Sequence, residues 1–518
     1  MVSYTRLMLS KLRTLCLKGI DGREVSAEVY IAPGLPAYTV VGLPDAAVKE
    51  AKDRVVAAVR NSGYDFPSKR ITVNLAPAEI KKSGTHFDLP IALGVLAASG
   101  KLGKKPPARM EDTFFIGELA LDGAIRPVAG VLPMLMALKG SGKTAVVPVG
   151  NSAEAAVSGV ACLAAATLKE TAAWLTGEGE LKPCARPAEH KISSAPVPDF
   201  SEVKGQAFAK RALEIAAAGF HNVIMVGPPG AGKSMLARRF AALLPPMTFD
   251  ESLETTKLYS VSGLGAAGRL VSERPFREPH HTISDAALIG GGSSPRPGEV
   301  SLAHNGVLFL DEFPEFSRPA IEGLREPLEA WRVTVSRVKE SVAYPARFLM
   351  VAAMNPCPCG YLGHPTRECA CTPLQVHKYR AKVSGPILDR IDLHVQLSAV
   401  KYADWEALPK GEPSAVIAER VLKAIEIQRK RFNGGIRANA FMAGAELRRH
   451  CALPEGASAV LETAMNRLGF SARSLDKILK ISRTIADLEG AAAIKREHVI
   501  EAVQYRMLDK AAELPAGI

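Results

Sequence analysis

The residues most clearly suited to chemistry form one glycine-rich segment. Residues 227–234 read Gly-Pro-Pro-Gly-Ala-Gly-Lys-Ser and satisfy the pattern G-x-x-x-x-G-K-[ST] at each fixed position. In this pattern the glycines let backbone N–H groups surround phosphates, the lysine neutralises the β- and γ-phosphates, and the hydroxyl ligates Mg²⁺. A plain turn before a helix is the alternative. The segment predicts that ATP and magnesium bind through Gly227, Pro228, Pro229, Gly230, Ala231, Gly232, Lys233 and Ser234.

Two acidic residues follow an apolar run and would complete such a site. Val307–Leu310 is continuously apolar, and Asp311 and Glu312 come directly after it. Asp311 at a strand end can hold the magnesium shell, and Glu312 can orient and activate the attacking water. Exposed acids at the end of a strand are common, so this prediction depends on the glycine-rich segment as well.

A polar amide ends a further apolar run. Phe348–Met354 leads into Asn355, whose side chain can position water beside a γ-phosphate. Asparagine before a proline, here Pro356, is equally typical of an Asx turn. The residues alone leave both interpretations open.

These side chains need a parallel sheet to bring them together. Short, continuous apolar runs separated by helical stretches predict parallel strands that are covered on both faces. The predicted strands are 222–226, 307–310, 348–353 and 393–397. A helix over 233–244 is predicted to begin at the glycine-rich segment. Beyond Pro413 the pattern is almost wholly helical.

The predicted fold class is α/β, and the 518 residues suffice for three or four domains. Residues 1–180 alternate β-like and Ala/Leu-rich runs and predict an α/β domain, and 181–199 predict a linker rich in Pro, Ser and charge. Residues 200–400 are predicted to be the nucleotide-binding core, with a cysteine-rich insertion at 355–373. Residues 401–518 predict a helical lid.

Composition limits the class of protein and its partners. The formal net charge of +12 favours a polyanionic partner such as nucleic acid, although many soluble proteins are mildly basic. No run approaches the ~18 uncharged apolar residues that would span a bilayer. The first twenty residues lack the uninterrupted apolar core of a secretory signal. We therefore expect a soluble, cytoplasmic protein with no membrane partner.

Four of the eight cysteines lie within fifteen residues of one another. Four thiols in a Gly/Pro-rich loop can close a tetrahedral site, and soft thiolates in that number favour zinc in a structural role. Reduced structural thiols or a redox-sensitive loop are the alternatives. The predicted zinc ligands are Cys357, Cys359, Cys369 and Cys371.

Several segments together resemble AAA+ ATPases of the magnesium-chelatase-like group, and most closely the bacterial ComM/YifB family. Beyond the two site motifs, the resemblance is carried by Arg277-Glu-Pro-His-His-Thr282, Pro297-Gly-Glu-Val-Ser-Leu-Ala-His-Asn-Gly306, Asn355-Pro-Cys-Pro-Cys-Gly360 and Gly385-Pro-Ile-Leu-Asp-Arg-Ile-Asp392. The resemblance covers essentially the whole chain. It implies an AAA+ P-loop core with a helical lid, which assembles as a hexamer.

The resemblance also implies roles that spacing does not show. Asn355 looks like the family's sensor 1, Arg390 like an arginine finger for a neighbouring subunit's γ-phosphate, and Arg473 like sensor 2 on the lid. Both arginines suit the charge that develops on a transferred phosphoryl group. Surface ion pairs with nearby acids are the alternative for each.

The resemblance further implies contact with DNA. Arg332–Lys339 and Ser341–Arg347 predict a β-hairpin, and related AAA+ helicases project a hairpin from this position into the central pore. Arg337 and Lys339 near the tip would then grip phosphates without sequence preference. From charge alone, solvated surface residues are at least as good an interpretation.

Residues 1 to about 175 resemble the Lon-protease/ribosomal-S5-like fold, through Gly117–Gly130. The family's lysine would fall near Leu132, and no serine turn is present, so we expect no proteolysis. Ser83, Thr85 and His86 are the residues that keep a hydrolase interpretation open.

The resemblance implies a hexameric, ATP-hydrolysing DNA motor that carries out helicase or branch-migration work. It would act on single-stranded or branched DNA and promote DNA integration during natural transformation and recombination. Recombination proteins are candidate partners. The alternative is an ATP-dependent remodeller of a protein partner, of the magnesium-chelatase type.

Overall fold

The computed structural model describes most of the chain. The described residues are 8–103, 105–185, 198–265, 270–292, 295–337, 340–399, 411–433, 438–468 and 470–506. Helices and strands named below lie within them. No helix found there combines the length and apolar character that crossing a bilayer requires.

The chain folds into two compact units. The first comprises Met1–Ile192 and Ser252–Val271, and the second Ser193–Glu251 and Ser272–Ile518. The sequence predicted residues 252–271 to be part of the nucleotide-binding core. However, the Gly130 amide donates to the Ser260 carbonyl (3.1 Å), and the Ser260 hydroxyl donates to Glu154. Hydrogen bonds to residues distant in sequence thus join this segment to the first unit. A prediction that gives each domain one continuous range of residues cannot include such a segment.

The first unit is built on an eight-stranded mixed sheet. The unit's strands are β1 (Leu9–Lys18), β2 (Asp21–Ala32), β3 (Ala37–Val41), β4 (Arg70–Ala76), β5 (Thr113–Phe115), β6 (Glu118–Leu119), β7 (Ile125–Arg126), β8 (Thr144–Pro148), β9 (Ala161–Ala165) and β10 (Lys182–Pro183). The sheet has the order β10-β9-β8-β5-β1-β2-β4-β3, and β6 and β7 form a separate pair. The long β1–β2 hairpin is antiparallel, while β5, β8 and β9 run parallel.

Helices cover this sheet because their apolar positions face it. They are α1 (Ala46–Asn61), α2 (Asp88–Ala98), α3 (Val131–Met136), α4 (Ser152–Val157) and α5 (Leu168–Thr176). Asp45 caps α1 by accepting from the Val48 amide at 2.9 Å. Helix α2 is almost wholly buried and is the centre of the unit's main apolar core. The sequence reads this helix correctly because it is apolar on all sides.

The second unit contains a five-stranded parallel sheet, as predicted. Its strands are β11 (Val223–Val226), β12 (Phe276–Arg277), β15 (Val307–Leu310), β18 (Leu349–Met354) and β19 (Leu393–Gln396), in the order β12-β15-β18-β11-β19. Strands β11, β15 and β18 are buried at every position, which explains their continuous apolar sequences. The two-residue edge strand β12 is too short to give a sequence signal.

Short helices connect the strands of this sheet. They are α6 (Ala207–Gly219), α7 (Lys233–Phe240), α8 (Phe249–Val261), α9 (Asp285–Ile289), α10 (Glu299–Leu302), α11 (Arg318–Gly323), α12 (Arg325–Ala330), α13 (Pro373–Arg380) and α14 (Gly385–Leu388). Helix α7 is shorter than predicted because residues 241–243 tighten into a 3₁₀ turn.

Two small hairpins project from the connections. The predicted one pairs β16 (Arg332–Arg337) with β17 (Glu340–Pro345), and a second pairs β13 (Gly290–Gly291) with β14 (Arg296–Pro297). The Tyr344 hydroxyl donates to the Pro295 carbonyl at 2.9 Å, so the hairpins contact each other.

The lid is helical, as predicted, and shares its apolar core with the sheet. Its helices are α15 (Ser414–Arg431), α16 (Gly444–His450), α17 (Glu455–Leu468), α18 (Ala472–Leu488) and α19 (Arg496–Gln504). Helix α18 contributes buried Ile478, Ile481 and Ile485 at helical spacing to that core. The lid and sheet therefore form one packed body.

Candidate nucleotide-binding site

The glycine-rich segment connects β11 to α7, where a phosphate cradle requires it. Gly230 and Gly232 have φ of +77° and +90°, which glycine adopts without strain. No atom lies within 4 Å of a Cβ built on either glycine, so the concave side is open. The loop thus presents its backbone and the start of α7 to an anion.

Lys233 is the first residue of α7, and its ammonium group is turned into the loop. It donates to the carbonyl oxygens of Gly227 (2.6 Å) and Pro228 (3.0 Å) and to Asn355 Oδ1 (3.0 Å). Burial lowers the pKa of this amine, and Asp311 and Glu312 act in the opposite direction. The structure brings Lys233 and Asn355 together although 122 residues separate them.

The predicted magnesium ligands are in direct contact. The Ser234 hydroxyl donates to Asp311 Oδ2 at 2.6 Å. Asp311 follows β15, and its second oxygen accepts the backbone amide of Glu312 at 2.9 Å. One hydroxyl in the first turn of α7 and one carboxylate oxygen after β15 form a donor set that Mg²⁺ can share with phosphate oxygens.

Glu312 is held by a residue to which sequence reasoning gave no role. Its carboxylate lies 2.9 Å from Nδ1 of His281, whose ring packs against that of His280. Glu312 has φ of +51°, a rare value for a non-glycine residue and common at functional sites. The available signal was the segment 277–282, which carried the family resemblance.

These residues fit ATP with magnesium. The cradle is open, the buried ammonium faces only oxygen acceptors, and the Ser234–Asp311 pair lies beside it. Residues 227–234, Asp311, Glu312 and Asn355 define the phosphate edge, at the carboxyl ends of the strands.

Arg390 lies at the opposite edge of the sheet. The amides of Asp392 and Leu393 donate to the Asn222 carbonyl, immediately before β11 begins (3.0 and 2.9 Å). The four residues of β11 separate these hydrogen bonds from the phosphate loop, and a strand of that length spans about 13 Å. The Arg390 side chain pairs with Glu329 at 2.5 Å and donates to the Pro386 carbonyl at 2.6 Å.

Arg473 is near Arg390 and not near the phosphate edge. Both line a cleft of about 350 Å³, together with Lys477, Lys480 and Glu329. Arg473 is exposed at the start of α18. We call Arg390, Arg473 and this cleft the arginine edge. The structure thus separates the predicted catalytic residues into two groups on opposite edges.

An ion pair whose two side chains are each only 13% exposed fixes the arginine edge to the lid. Asp392 contacts Lys477 of α18 at 2.8 Å and accepts the Asn222 amide at 3.0 Å. Burial alone would raise the pKa of Asp392, but Lys477 and His221 hold it well below its ordinary range.

The predicted DNA contacts are only partly described. Arg337 ends β16 and pairs with Glu340 through the backbone, while Lys339 lies outside the described residues. One face of the hairpin is buried, with Val333, Val335 and Tyr344. The hairpin is joined to α12, because Glu326 accepts from the Thr334 hydroxyl at 2.7 Å.

The four predicted zinc ligands converge. Their sulfur atoms all lie within 4.8 Å of one another, and all four cysteines are free. Cys357 is buried and the others are half-buried. The insertion is therefore closed at its base by four thiols.

In the first unit, the segment 83–88 is tightly engaged. Thr85 donates to Glu118, and buried Asp88 pairs with Arg54 at 2.6 Å. The amine of Lys82 donates to the Pro77 carbonyl rather than to a hydroxyl. Burial lowers the pKa of His86 to about 4, so it is neutral at pH 7. This arrangement gives no support to a hydrolase site at Ser83, Thr85 or His86.

A five-stranded parallel sheet with a glycine-rich phosphate cradle after β11, an Asp–Glu pair after β15 and a helical lid defines the AAA+ class of ATP-binding proteins. Comparison with family models agrees. "Magnesium chelatase, subunit ChlI" matches residues 199–405, "Subunit ChlI of Mg-chelatase" matches 27–151, and "Magnesium chelatase, subunit ChlI C-terminal" matches 411–506.

Known proteins are similar over nearly the full length. The chain is 42% identical over 508 residues to an "Uncharacterized protein YifB" of Salmonella typhimurium, covering 97% of this chain and 98% of the relative. It is 43% identical over 497 residues to the "Competence protein ComM" of Haemophilus influenzae, covering 95% and 96%. A "Magnesium-chelatase 38 kDa subunit" of Rhodobacter capsulatus is 25% identical over 332 residues, covering 61% and 88%. The chain therefore belongs to the ComM/YifB family of magnesium-chelatase-like AAA+ proteins, which implies ATP and Mg²⁺ as cofactors.

Proposed function

We propose that this protein is a ring-forming ATPase that uses hydrolysis to move along DNA. The observation that carries the proposal is the separation of two half-sites on opposite edges of one sheet. The phosphate edge has a cradle, a magnesium-binding pair and a carboxylate. Arg390 and Arg473, the arginines predicted to act on the γ-phosphate, lie instead at the arginine edge.

The phosphate edge supplies binding and water activation. In the proposal, the loop amides and Lys233 bind the phosphates, and Ser234 and Asp311 hold the magnesium shell. Magnesium, when bound, neutralises the phosphate oxygens as negative charge develops on them. Asn355 is tied to Lys233 and can position water, while Glu312 accepts its proton after release from His281.

The arginine edge supplies charge to a neighbouring chain. Arg390 is on the far side of β11 from its own cradle, so it is suited to a nucleotide bound by the next subunit. Arg473 in the same cleft is suited to the same nucleotide. Each site is then shared, and repeated head-to-tail contacts close into a ring, for which we propose a hexamer.

DNA is the proposed substrate for two reasons. Arg337 is the last residue of β16, Lys339 follows it in the sequence, and the net charge is +12. The hairpin also follows α12, which carries Glu329, the partner of Arg390. A movement of the DNA-bound hairpin can therefore be transmitted to the arginine edge through one short helix.

The relative named competence protein supports a more specific role. We propose that this chain promotes DNA integration during natural transformation and recombination, by unwinding or branch migration of single-stranded or branched DNA. Recombination proteins are proposed partners. For the first unit we propose a non-proteolytic role in assembly or in guiding DNA.

The test compares ATPase stimulation by branched DNA, single-stranded DNA and an unfolded protein. Stimulation by DNA, with a steep loss at higher salt, is expected because phosphate contacts release counterions. The double variant Arg337→Ala, Lys339→Ala should retain basal ATPase and lose the stimulation. Lys423→Ala, an exposed cation of α15 paired with Glu419, is the matched control and should behave as the wild type.

Stimulation by unfolded protein alone would contradict the DNA proposal. It would favour the alternative, an ATP-dependent protein remodeller of magnesium-chelatase type. An unchanged DNA response in the double variant would reject the hairpin as the contact surface.

A further inference from the structure

The four-cysteine cluster has the dimensions of a single-ion site. Cys357 Sγ lies 3.4 Å from Cys359 Sγ and 3.6 Å from Cys369 Sγ, and Cys359 Sγ lies 3.6 Å from Cys369 Sγ. A tetrahedron with Zn–S bonds of ~2.3 Å has S···S edges of about 3.8 Å. Disulfide bonding requires about 2.05 Å. The spacing therefore fits four thiolates around one ion, without any disulfide.

Backbone hydrogen bonds hold the cluster in this arrangement. The Cys359 amide donates to Cys371 Sγ at 3.4 Å, and the Gly360 amide donates to the Cys357 carbonyl at 3.0 Å. The first bond joins the two C-x-C pairs across the insertion. Such N–H···S contacts stabilise a sulfur that carries negative charge.

The cluster is connected to the phosphate edge at two points. Cys357 is two residues from Asn355, the partner of Lys233. On the other side of Cys357 and Cys359, Gly360 packs on the phosphate loop: a Cβ built on it would lie 2.7 Å from Pro229 Cδ. Gly360 has φ of +84°, so glycine is required here by both conformation and space.

The same insertion also lines space next to the loop. Leu362, Gly363 and Pro365 form one wall of a cleft of about 250 Å³ whose other walls include Gly227 and Pro228. Arg380 of α13 donates to the Pro356 carbonyl at 3.1 Å and fixes the insertion from behind. The position of the insertion therefore sets one boundary of the phosphate loop.

We propose that Cys357, Cys359, Cys369 and Cys371 bind one Zn²⁺, and that this ion acts as a clamp that fixes Asn355 and the phosphate loop for ATP hydrolysis. Binding replaces thiol protons, which pass to solvent, by Zn–S bonds. Without the ion, only weak contacts hold the four sulfurs together. The insertion then loosens, and both Gly360 and Asn355 lose their fixed positions. The inference rests on the proposed ATPase but not on DNA.

Metal analysis of the full-length protein is the first test. We expect about one zinc per chain and a colourless protein. The double variant Cys369→Ser, Cys371→Ser should lose the zinc and about 10-fold or more of the basal turnover, measured without DNA. Cys184→Ser, in the first unit, is the control that should retain both zinc and turnover.

Wild-type protein stripped with a chelator gives the same information if the cysteine variant fails to fold. Turnover should fall on stripping and return when Zn²⁺ alone is added. Binding of a fluorescent ATP analogue is followed in parallel, as a readout independent of turnover. Affinity should weaken because the phosphate loop loses its support.

Two glycine variants separate the clamp from simple stabilisation of the insertion. Gly360→Ala should retain zinc and lose about 10-fold in turnover, because its methyl group displaces Pro229. Gly177→Ala, in the first unit, is a matched control: its φ is also +84°, but no atom lies within 4 Å of the added Cβ. It should retain near-normal turnover.

Three outcomes would overturn the proposal. They are the absence of zinc from purified protein, an iron–sulfur absorption spectrum, and zinc loss that leaves ATP affinity and basal turnover unchanged. A zinc-bound, ATP-hydrolysing protein that ignores DNA would instead refute the proposed motor and leave the clamp intact.

Discussion

The two edges of the parallel sheet differ in how far their functional groups are already assembled. At the phosphate edge, Lys233 contacts Asn355 directly, and Ser234 contacts Asp311 directly. At the arginine edge, Arg390 is paired with Glu329, and Arg473 faces a cleft. The phosphate edge is a preorganised binding site within a single chain. The guanidinium groups of the arginine edge are proposed to act on a nucleotide of a neighbouring chain.

The two edges also differ in the structural elements that anchor their functional groups. The groups proposed to act on the chain's own ligand are anchored at strand ends by the fold. The groups proposed to act on another chain's ligand are anchored to the lid through Lys477 and Asp392. The following changes would break or sharpen this division.

Lys233→Ala should have the largest effect. It removes the buried ammonium that contacts both the loop and Asn355. We expect ATP binding to weaken and turnover to fall by about 10³-fold or more, as for loss of a central phosphate contact. Equilibrium binding and steady-state ATPase assays measure the two effects. Normal turnover in this variant would refute the phosphate edge as the site.

Arg390→Ala should retain ATP binding and lose about 10³-fold in turnover. Mixing it with Lys233→Ala provides the sharper experiment. In mixed assemblies, an intact cradle on one chain meets an intact Arg390 on the next. Two inactive variants should therefore regain part of the ATPase activity. If mixing restores nothing while mixed assemblies form, the arginine does not act in trans.

Asp392→Asn should destabilise the second unit by about 3 kcal/mol, because it leaves Lys477 buried without its charge partner. The exposed Asp476→Asn on the same helix should change stability by about 0.5 kcal/mol or less. Denaturant unfolding at pH 7 compares them.

Acid titration gives a second readout for Asp392. Its folded-state pKa is depressed, so the ionised form stabilises the fold above the unfolded-state value of ~4 and this contribution is lost as pH falls further. The difference between wild type and Asp392→Asn should shrink below about pH 4. A constant difference would show that the ionised state contributes nothing.

Glu329→Gln should have the smallest effect. An ion pair with one partly exposed partner is worth about 0.2–1 kcal/mol, so freeing Arg390 should raise basal turnover by about fivefold at most. Glu322→Gln, which loses a similar pair with Arg325, is the control and should leave turnover unchanged. A fall in turnover would mean that Glu329 supports Arg390 rather than restraining it.

The phosphate edge was largely predictable from sequence because its residues follow buried strands. Val307–Leu310 and Leu349–Met354 are apolar at each position, so their ends are easily located, and parallel strands bring those ends to one edge. Asn355 lies beside Lys233, and its role in positioning water stays a prediction. An Asx turn alone would not require that contact.

Other features required the three-dimensional structure. His281 reaches Glu312 from a segment without a regular element, and Glu329 reaches Arg390 across 61 residues, so neither pair has a periodic signal. The assignment of residues 252–271 to the first unit depends on hydrogen bonds near Gly130. Such long-range contacts are set by packing, which no local pattern encodes.

The position of the two half-sites on opposite edges determines how ATPase activity per subunit should depend on protein concentration. In the proposed head-to-tail assembly, an open chain of n subunits completes n − 1 sites, while a closed ring completes n. A lone subunit completes none. Specific activity per subunit should therefore rise with protein concentration and level off only when rings close, so the enzyme's rate becomes a measure of its own assembly.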